Sequence, residues 1–174
     1  MSTVPSPRTF RGSPDRLPAG ARVAVVVARW NEPITSRLLE AALATFAAAG
    51  LTADAIDVAW VPGSFELSLA ADRLASSRRY AAVLCLGAII KGETSHDRHI
   101  ANAAACGIES AGRTRGIPIL FGVLTCETLA QAMVRAGGAA ADGYAGNKGS
   151  ECAAAAVEMV SLLSQLASAP EARA

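Results

Sequence analysis

Four short, largely apolar runs rich in Val, Ile and Leu divide the chain: Arg22–Ala28, Ala55–Val61, Ala82–Ile90 and Pro118–Leu124. Runs of this length fit strands of a parallel sheet covered on both faces. Between them the apolar period changes from continuous to helical. Ile34, Leu38, Leu39, Ala42, Leu43 and Phe46 share one helical stripe. Asn31 suits the cap of that helix, Pro33 is tolerated in its first turn, and Gly50 stops it. Ser64 is the expected cap of a helix reaching about Ser77, with Glu66 in its first turn, where the helix dipole favours an acid. Further helices are expected over Ser95–Ala111, from a Thr125 cap to about Ala136, and over Ser150–Ala167. The Gly- and Ala-rich stretch Gly137–Gly149 separates the last two. No internal repeat is visible.

The order is therefore β-α-β-α-β-α-β-α-α. Right-handed crossovers place helices on both sides of such a sheet. The expected class is α/β: a flavodoxin-like three-layer αβα sandwich around a four-stranded parallel sheet, with strand order 2-1-3-4. Residues 21–168 form the expected domain, flanked by flexible segments at 1–20 and 169–174.

Composition narrows the functional classes. Of the 174 residues 52% are hydrophobic and 18% charged, against roughly 25% charged in an average soluble domain. The apolar excess points to self-association. A net charge of +1 argues against a general nucleic-acid or membrane-surface binder. No stretch approaches the roughly 18 apolar residues of a membrane span. The first 20 residues hold Arg8, Arg11 and Arg16 among four prolines, without the apolar core of a secretory signal. Cys85, Cys106, Cys126 and Cys152 are widely spaced, as in a reduced, cytoplasmic protein.

Ligands of open α/β sheets bind beyond the carboxyl ends of the strands. Here those ends read Arg29-Trp30-Asn31, Pro62-Gly63-Ser64-Phe65-Glu66, Lys91-Gly92-Glu93-Thr94-Ser95-His96 and Thr125-Cys126-Glu127. Gly92 permits close backbone approach, and the start of the next helix is suited to an anion such as phosphate. His96 falls beside that start, and imidazole is the side chain that exchanges protons near neutral pH. A surface or cap histidine is the alternative. His96 and His99 lack a third ligand in view, so no metal is expected. Trp30 offers a face for a planar ligand or packs at an interface, whereas Trp60 lies within a strand and reads as core. Arg135 and Lys148 alone would be solvated charges. Gly143–Gly149 superficially suggests a phosphate loop but lacks its Lys-Ser/Thr and follows a helix.

Five ordered motifs then carry a resemblance. Val61-Pro62-Gly63-Ser64-Phe65-Glu66, Gly87-Ala88-Ile89-Ile90-Lys91-Gly92-Glu93-Thr94-Ser95-His96, Phe121-Gly122-Val123-Leu124-Thr125, Arg135-Ala136-Gly137 and Ala145-Gly146-Asn147-Lys148-Gly149 resemble the 6,7-dimethyl-8-ribityllumazine synthases over about residues 22–167. The resemblance implies a cofactor-free transferase of riboflavin biosynthesis. It would condense 5-amino-6-(D-ribitylamino)uracil with 3,4-dihydroxy-2-butanone 4-phosphate. It implies His96 as the catalytic histidine and Trp30 as the aromatic stacked on the pyrimidine. Ser64, Phe65 and Glu66 would hold the ribityl chain, and Ala88, Ile89 and Ile90 would read the uracil edge. Glu93, Thr94 and Arg135 would bind phosphate. Phe121 and Lys148 would complete the pocket, Phe121 from a neighbouring subunit. It also implies a homopentamer with shared active sites, some relatives closing into sixty-subunit shells, and riboflavin synthase as a possible partner.

The chain departs from the family pattern at three places. Asp97-Arg98-His99-Ile100 replaces the usual aromatic-acid-aromatic after the histidine, Trp30 stands where many members have Phe, and Gly138–Tyr144 lengthens the connection after Arg135. That extra length, with the proline-rich start, favours a pentamer or paired pentamers over a shell. Two other readings stay open: a non-catalytic flavin- or lumazine-binding relative, and a signalling module of the same fold. His96 and Arg135 favour the enzyme, and the signalling reading lacks its acidic cluster at the strand ends.

Overall fold

A computed structural model describes residues 7–15, 17–137 and 146–169. The four strands are β1 (Val23–Ala28), β2 (Ile56–Val61), β3 (Ala82–Ile90) and β4 (Ile119–Cys126). All pair in parallel, in the expected order β2-β1-β3-β4. Every residue of β1 is buried, as are all but the last of β3, which explains their unbroken apolar sequences.

The helices are α1 (Glu32–Ala48), α2 (Leu67–Ser76), α3 (His96–Arg115), α4 (Leu129–Arg135) and α5 (Lys148–Ser168). Ile34, Leu38 and Phe46 of α1, Ala132 of α4 and Val157 of α5 pack on one sheet face against Val23, Val25, Val27, Leu84 and Leu86. Leu67 and Ala71 of α2 and Ile108 of α3 cover the other face, against Ala24, Val26, Val83 and Cys85. Each fully buried Leu, Ile or Phe contributes about 1.5–3 kcal/mol of transfer free energy. The three-layer α/β expectation therefore holds.

Several boundaries differ from the sequence expectation, for local reasons. β4 runs through Thr125 to Cys126, so Thr128 caps α4 instead, its side chain accepting from the Gln131 N–H at 3.2 Å. α3 passes Ala111 and stops only where Gly116 turns left-handed at φ 69°. Ser64 does not cap α2 directly; it opens a single 3₁₀ turn, Ser64–Glu66. α5 starts two residues early because Asn147 caps it, its side-chain oxygen accepting from Gly149 N at 2.8 Å and Ser150 N at 3.4 Å.

Asn147 is buried, and its amide donates to Ala136 O at 2.7 Å and to Arg37 O at 3.3 Å. One side chain thus ties α1, the end of α4 and the start of α5. Gly149 sits against the α1 backbone, where a Cβ would run into the Leu38 carbonyl. At the opposite end of the sheet from the strand-end loops, Asp57 accepts from Tyr80 Oη at 2.6 Å and from Arg22 Nη2 at 3.0 Å. These two bonds, Tyr80 foremost, hold the Asp57 carboxyl below its ordinary range.

Part of the segment read as an N-terminal tail is seated on α5. Ser13 N donates to Ser161 Oγ at 3.1 Å, Gln165 Nε2 donates to Arg11 O at 2.6 Å, and Leu17 joins the core. The lengthened connection Gly138–Tyr144, Ala145, Arg16 and, of the expected terminal segments 1–20 and 169–174, residues 1–6 and 170–174 lie outside the described residues.

Candidate active site

A cavity of about 560 Å³ opens at the carboxyl ends of β1, β2 and β3. Three chain segments form it. The first leaves β1: Arg29 N donates to Val61 O at 2.9 Å and Trp30 N to Pro62 O at 3.1 Å, which carries the β1–β2 ladder beyond both strands. Trp30 stands on this extension with 73% of its surface exposed. A large indole left in water is a face awaiting a planar ligand or a neighbouring protein surface.

The second segment is the turn after β2. The Glu66 carboxylate accepts from Gly63 N at 2.9 Å and closes the turn. Ser64 is buried against Gly87, where a Cβ would come within 2.6 Å of the Ser64 hydroxyl. Phe65 projects at 56% exposure.

The third segment is the end of β3 and the entry to α3. β1 pairs with β3 only as far as Val27 and Leu86, so Ala88, Ile89 and Ile90 have no strand partner on that side. They line the cavity, followed by Gly92, Thr94, His96, Asp97 and Ile100. Ser95 makes no side-chain cap, and the His96 N–H reaches only Thr94 Oγ1, at 3.4 Å. The positive end of a 20-residue helix is therefore presented at the rim. The His96 imidazole is exposed.

Nine expected site residues thus share one cavity: Trp30, Ser64, Phe65, Glu66, Ala88, Ile89, Ile90, Thr94 and His96. Glu93, Phe121, Arg135 and Lys148 do not line it. Glu93 is exposed on the loop between Gly92 and Thr94. The other three lie toward β4, α4 and α5. Phe121 is 37% exposed on edge strand β4, and its carbonyl accepts a long contact from Cys152 Sγ at 3.6 Å.

Lys148 pairs with Glu151 at 3.0 Å, and this hydrogen bond holds the ammonium above its ordinary range, with Arg135 acting the other way. Arg135 also lies near Cys126, whose thiol is raised chiefly by burial. Burial likewise raises the Cys152 thiol beside Lys148. One chain therefore holds two groups of polar and aromatic residues, one in the cavity and one along β4, α4 and α5.

Gly92, read as permitting close backbone approach, also lines the cavity, as do Pro62, Gly63, Asp97 and Ile100, to which the sequence reading assigned no ligand. Asp97 and Ile100 follow His96 by one and four positions, so helical spacing alone would have placed Ile100 on the His96 face. Among the described residues, no three His, Cys, Asp or Glu side chains gather into a possible metal site. No described helix is long and apolar enough to cross a membrane.

Residues 20–164 match the sequence profile of 6,7-dimethyl-8-ribityllumazine synthase. The chain is 51% identical over 141 residues to the chloroplastic 6,7-dimethyl-8-ribityllumazine synthase of Spinacia oleracea, covering 81% of this chain and 61% of that protein. It is 50% identical over 143 residues to the chloroplastic enzyme of the same name from Arabidopsis thaliana, covering 82% and 61%. The chain thus spans about three-fifths of the length of these curated relatives. With a profile matched across nearly the whole described fold, the chain belongs to the 6,7-dimethyl-8-ribityllumazine synthase family.

Proposed function

We propose that this chain is a lumazine synthase. It condenses 5-amino-6-(D-ribitylamino)uracil with 3,4-dihydroxy-2-butanone 4-phosphate to 6,7-dimethyl-8-ribityllumazine, phosphate and water. The observation that carries this reading is the single cavity joining an exposed indole, a turn with a serine and a glutamate, and an open helix start with His96. Those parts suit one substrate with a flat ring and a polyol chain, and a second with a phosphate.

The flat ring stacks on Trp30 and meets the unpaired edge of β3 at Ala88–Ile90. The ribityl chain runs along Ser64, Phe65 and Glu66. The phosphate sits at Thr94 and the start of α3, where N–H groups and the helix dipole favour an anion. The uracil's amine attacks the ketone carbon to give a carbinolamine, which loses water to an imine. Loss of the proton on the neighbouring hydroxyl-bearing carbon then expels phosphate with both electrons of its C–O bond, and the resulting enol tautomerises to a ketone. Ring closure by the ribitylamino nitrogen releases a second water.

Protons move at each step, and His96 takes and returns them as acid and base in turn. Holding two substrates in register supplies up to about 7–11 kcal/mol of barrier lowering in favourable cases. Arg135, Lys148 and Phe121 enter from a neighbouring copy, closing the open side of the cavity and adding positive charge to the phosphate. Their separation from the cavity within one chain supports a homo-oligomer with shared sites.

A riboflavin synthase that consumes the product is the partner this reading adds. The free thiols of Cys85, Cys106, Cys126 and Cys152 support a reducing compartment such as the cytoplasm. The test is direct: incubate purified protein with both substrates, follow the fluorescent lumazine and assay released phosphate. Equimolar lumazine and phosphate are expected. Tight lumazine binding without its formation would assign the chain to the non-catalytic binders instead.

A further inference from the structure

Asn31 occupies the cap position of α1, yet it does not cap. Its backbone is left-handed at φ 63° and ψ 40°, and its side chain accepts nothing from the helix. Asparagine tolerates this conformation better than most residues with a Cβ. The amide instead donates from Nδ2 to Ala88 O at 2.8 Å, across 57 positions of sequence. That bond lies just past the last β1–β3 pair, Val27 with Leu86. The side chain thus stands where a further residue of β1 would have paired. The backbone N–H groups of Arg29 and Trp30 run the other way, to Val61 O at the end of β2 and Pro62 O just past it. The Asn31 amide is what ties it to β3.

Trp30 cannot supply that link itself, because its exposed ring is not held by packing. Trp30 and Ala88–Ile90 line the same cavity, and the width between them is what a planar ring would have to fit. We propose that Asn31 is a positioning residue for the pyrimidine substrate: its bond to Ala88 O sets that width and orients the Ala88 carbonyl. This inference rests on the proposed lumazine synthase reaction. The phosphate end of the cavity is built by Thr94 and the start of α3, outside the Trp30 loop, so the effect falls on one substrate only.

The test uses Asn31→Gly and Asn31→Asp in a Trp60→Phe background, which leaves Trp30 as the single tryptophan. Glycine keeps the left-handed backbone and deletes the amide. Aspartate keeps the shape and turns an acceptor toward Ala88 O. Asn31→Gly is expected to raise the KM of the ribitylaminouracil about 3- to 10-fold, the range of one net hydrogen bond. Asn31→Asp should raise it further. The kcat and the KM of the phosphorylated ketone should stay close to the parent, and the melting temperature should fall by no more than the few degrees that one lost hydrogen bond costs. Trp30 anisotropy decay should become faster.

An unchanged uracil KM overturns the proposal. So does an equal rise in both KM values together with a lower melting temperature, the result of a merely structural role. If the parent protein makes no lumazine, the functional reading fails by itself. Trp30 anisotropy and lumazine quenching still decide the clamp: faster decay with weaker lumazine binding in Asn31→Gly sustains it, and no change overturns it.

Discussion

In the proposed reaction, His96 and Arg135 divide the chemistry at the residue scale. His96 stands in the first turn of α3 and faces the cavity. Replacing it with alanine removes no buried packing, so the fold should survive. The kcat should fall by about 10²–10⁴, the usual worth of a general acid–base. Stopped assays and circular dichroism check both halves, and an unchanged kcat would take His96 out of the mechanism. Arg135→Ala should weaken the phosphorylated ketone about 10- to 150-fold, since a lost charge-assisted hydrogen bond costs about 1.5–3 kcal/mol. Arg135→Lys should recover only part of that, lacking the planar fork; a rise confined to the uracil KM would misplace the guanidinium. His96 and Trp30 were legible in the sequence because strand ends and residue types mark them. Asn31 was legible only as a cap. The same amide serves a cap or a cross-strand bond, and a one-dimensional pattern does not show that Ala88 lies beside it.

Elements carry the next level, and the crossing of α1 and α5 is the tightest. Gly149 lets the backbone of α5 lie on Leu38 O, while Thr45 Oγ1 and Ser150 Oγ meet at 2.8 Å beside it. Gly149→Ala should destabilise by about 1–3 kcal/mol or more, as overpacking against rigid backbone does. In a domain of this size that lowers the melting temperature by about 2–4 °C per kcal/mol. Because Asn147 and Lys148 move with that helix start, catalysis should suffer at temperatures where the variant is still folded. Calorimetry beside an activity profile tests this, and an unaltered melting temperature would deny the close approach. The four strands were readable in advance as apolar runs, whereas their order 2-1-3-4 came from the flavodoxin-like class and not from the runs themselves. The β4–α4 junction was not readable. Thr125 and Thr128 are equally good caps by type, and only pairing of Ile90 with Cys126 shows that the strand continues. Asn147 was quoted as part of a motif, but its bonds to Ala136 and Arg37 needed three dimensions.

For the whole molecule, large apolar side chains stand exposed on the outer faces of particular elements. Phe65 and Leu69 project near α2, and Leu129 and Val134 on α4; Trp60, read from the sequence as core, instead stands 42% exposed because β2 is an edge strand. Patches on different elements suit head-to-tail contacts that close into a ring better than a two-fold pair. We expect a pentamer, or two pentamers, so light scattering at micromolar concentration should give five or ten times 17.7 kDa. A particle near a megadalton would show that the longer connection after Arg135 is compatible with a shell. The apolar excess of the composition points to association. It could not say which faces associate, since that depends on which apolar residues the sheet leaves uncovered.

The separation of His96 from Arg135 within one chain has a genetic consequence. In a ring, each reaction centre would draw its histidine from one copy and its arginine from the next. A His96→Ala chain and an Arg135→Ala chain, each impaired alone when the phosphorylated ketone is scarce, would then rescue one another when co-expressed. Random mixing in equal amounts leaves about a quarter of the centres with both groups intact, from cyclic head-to-tail contacts alone. Alleles of this gene would complement in pairs, sorted by which side of the seam they damage, and a chain carrying both lesions would rescue neither.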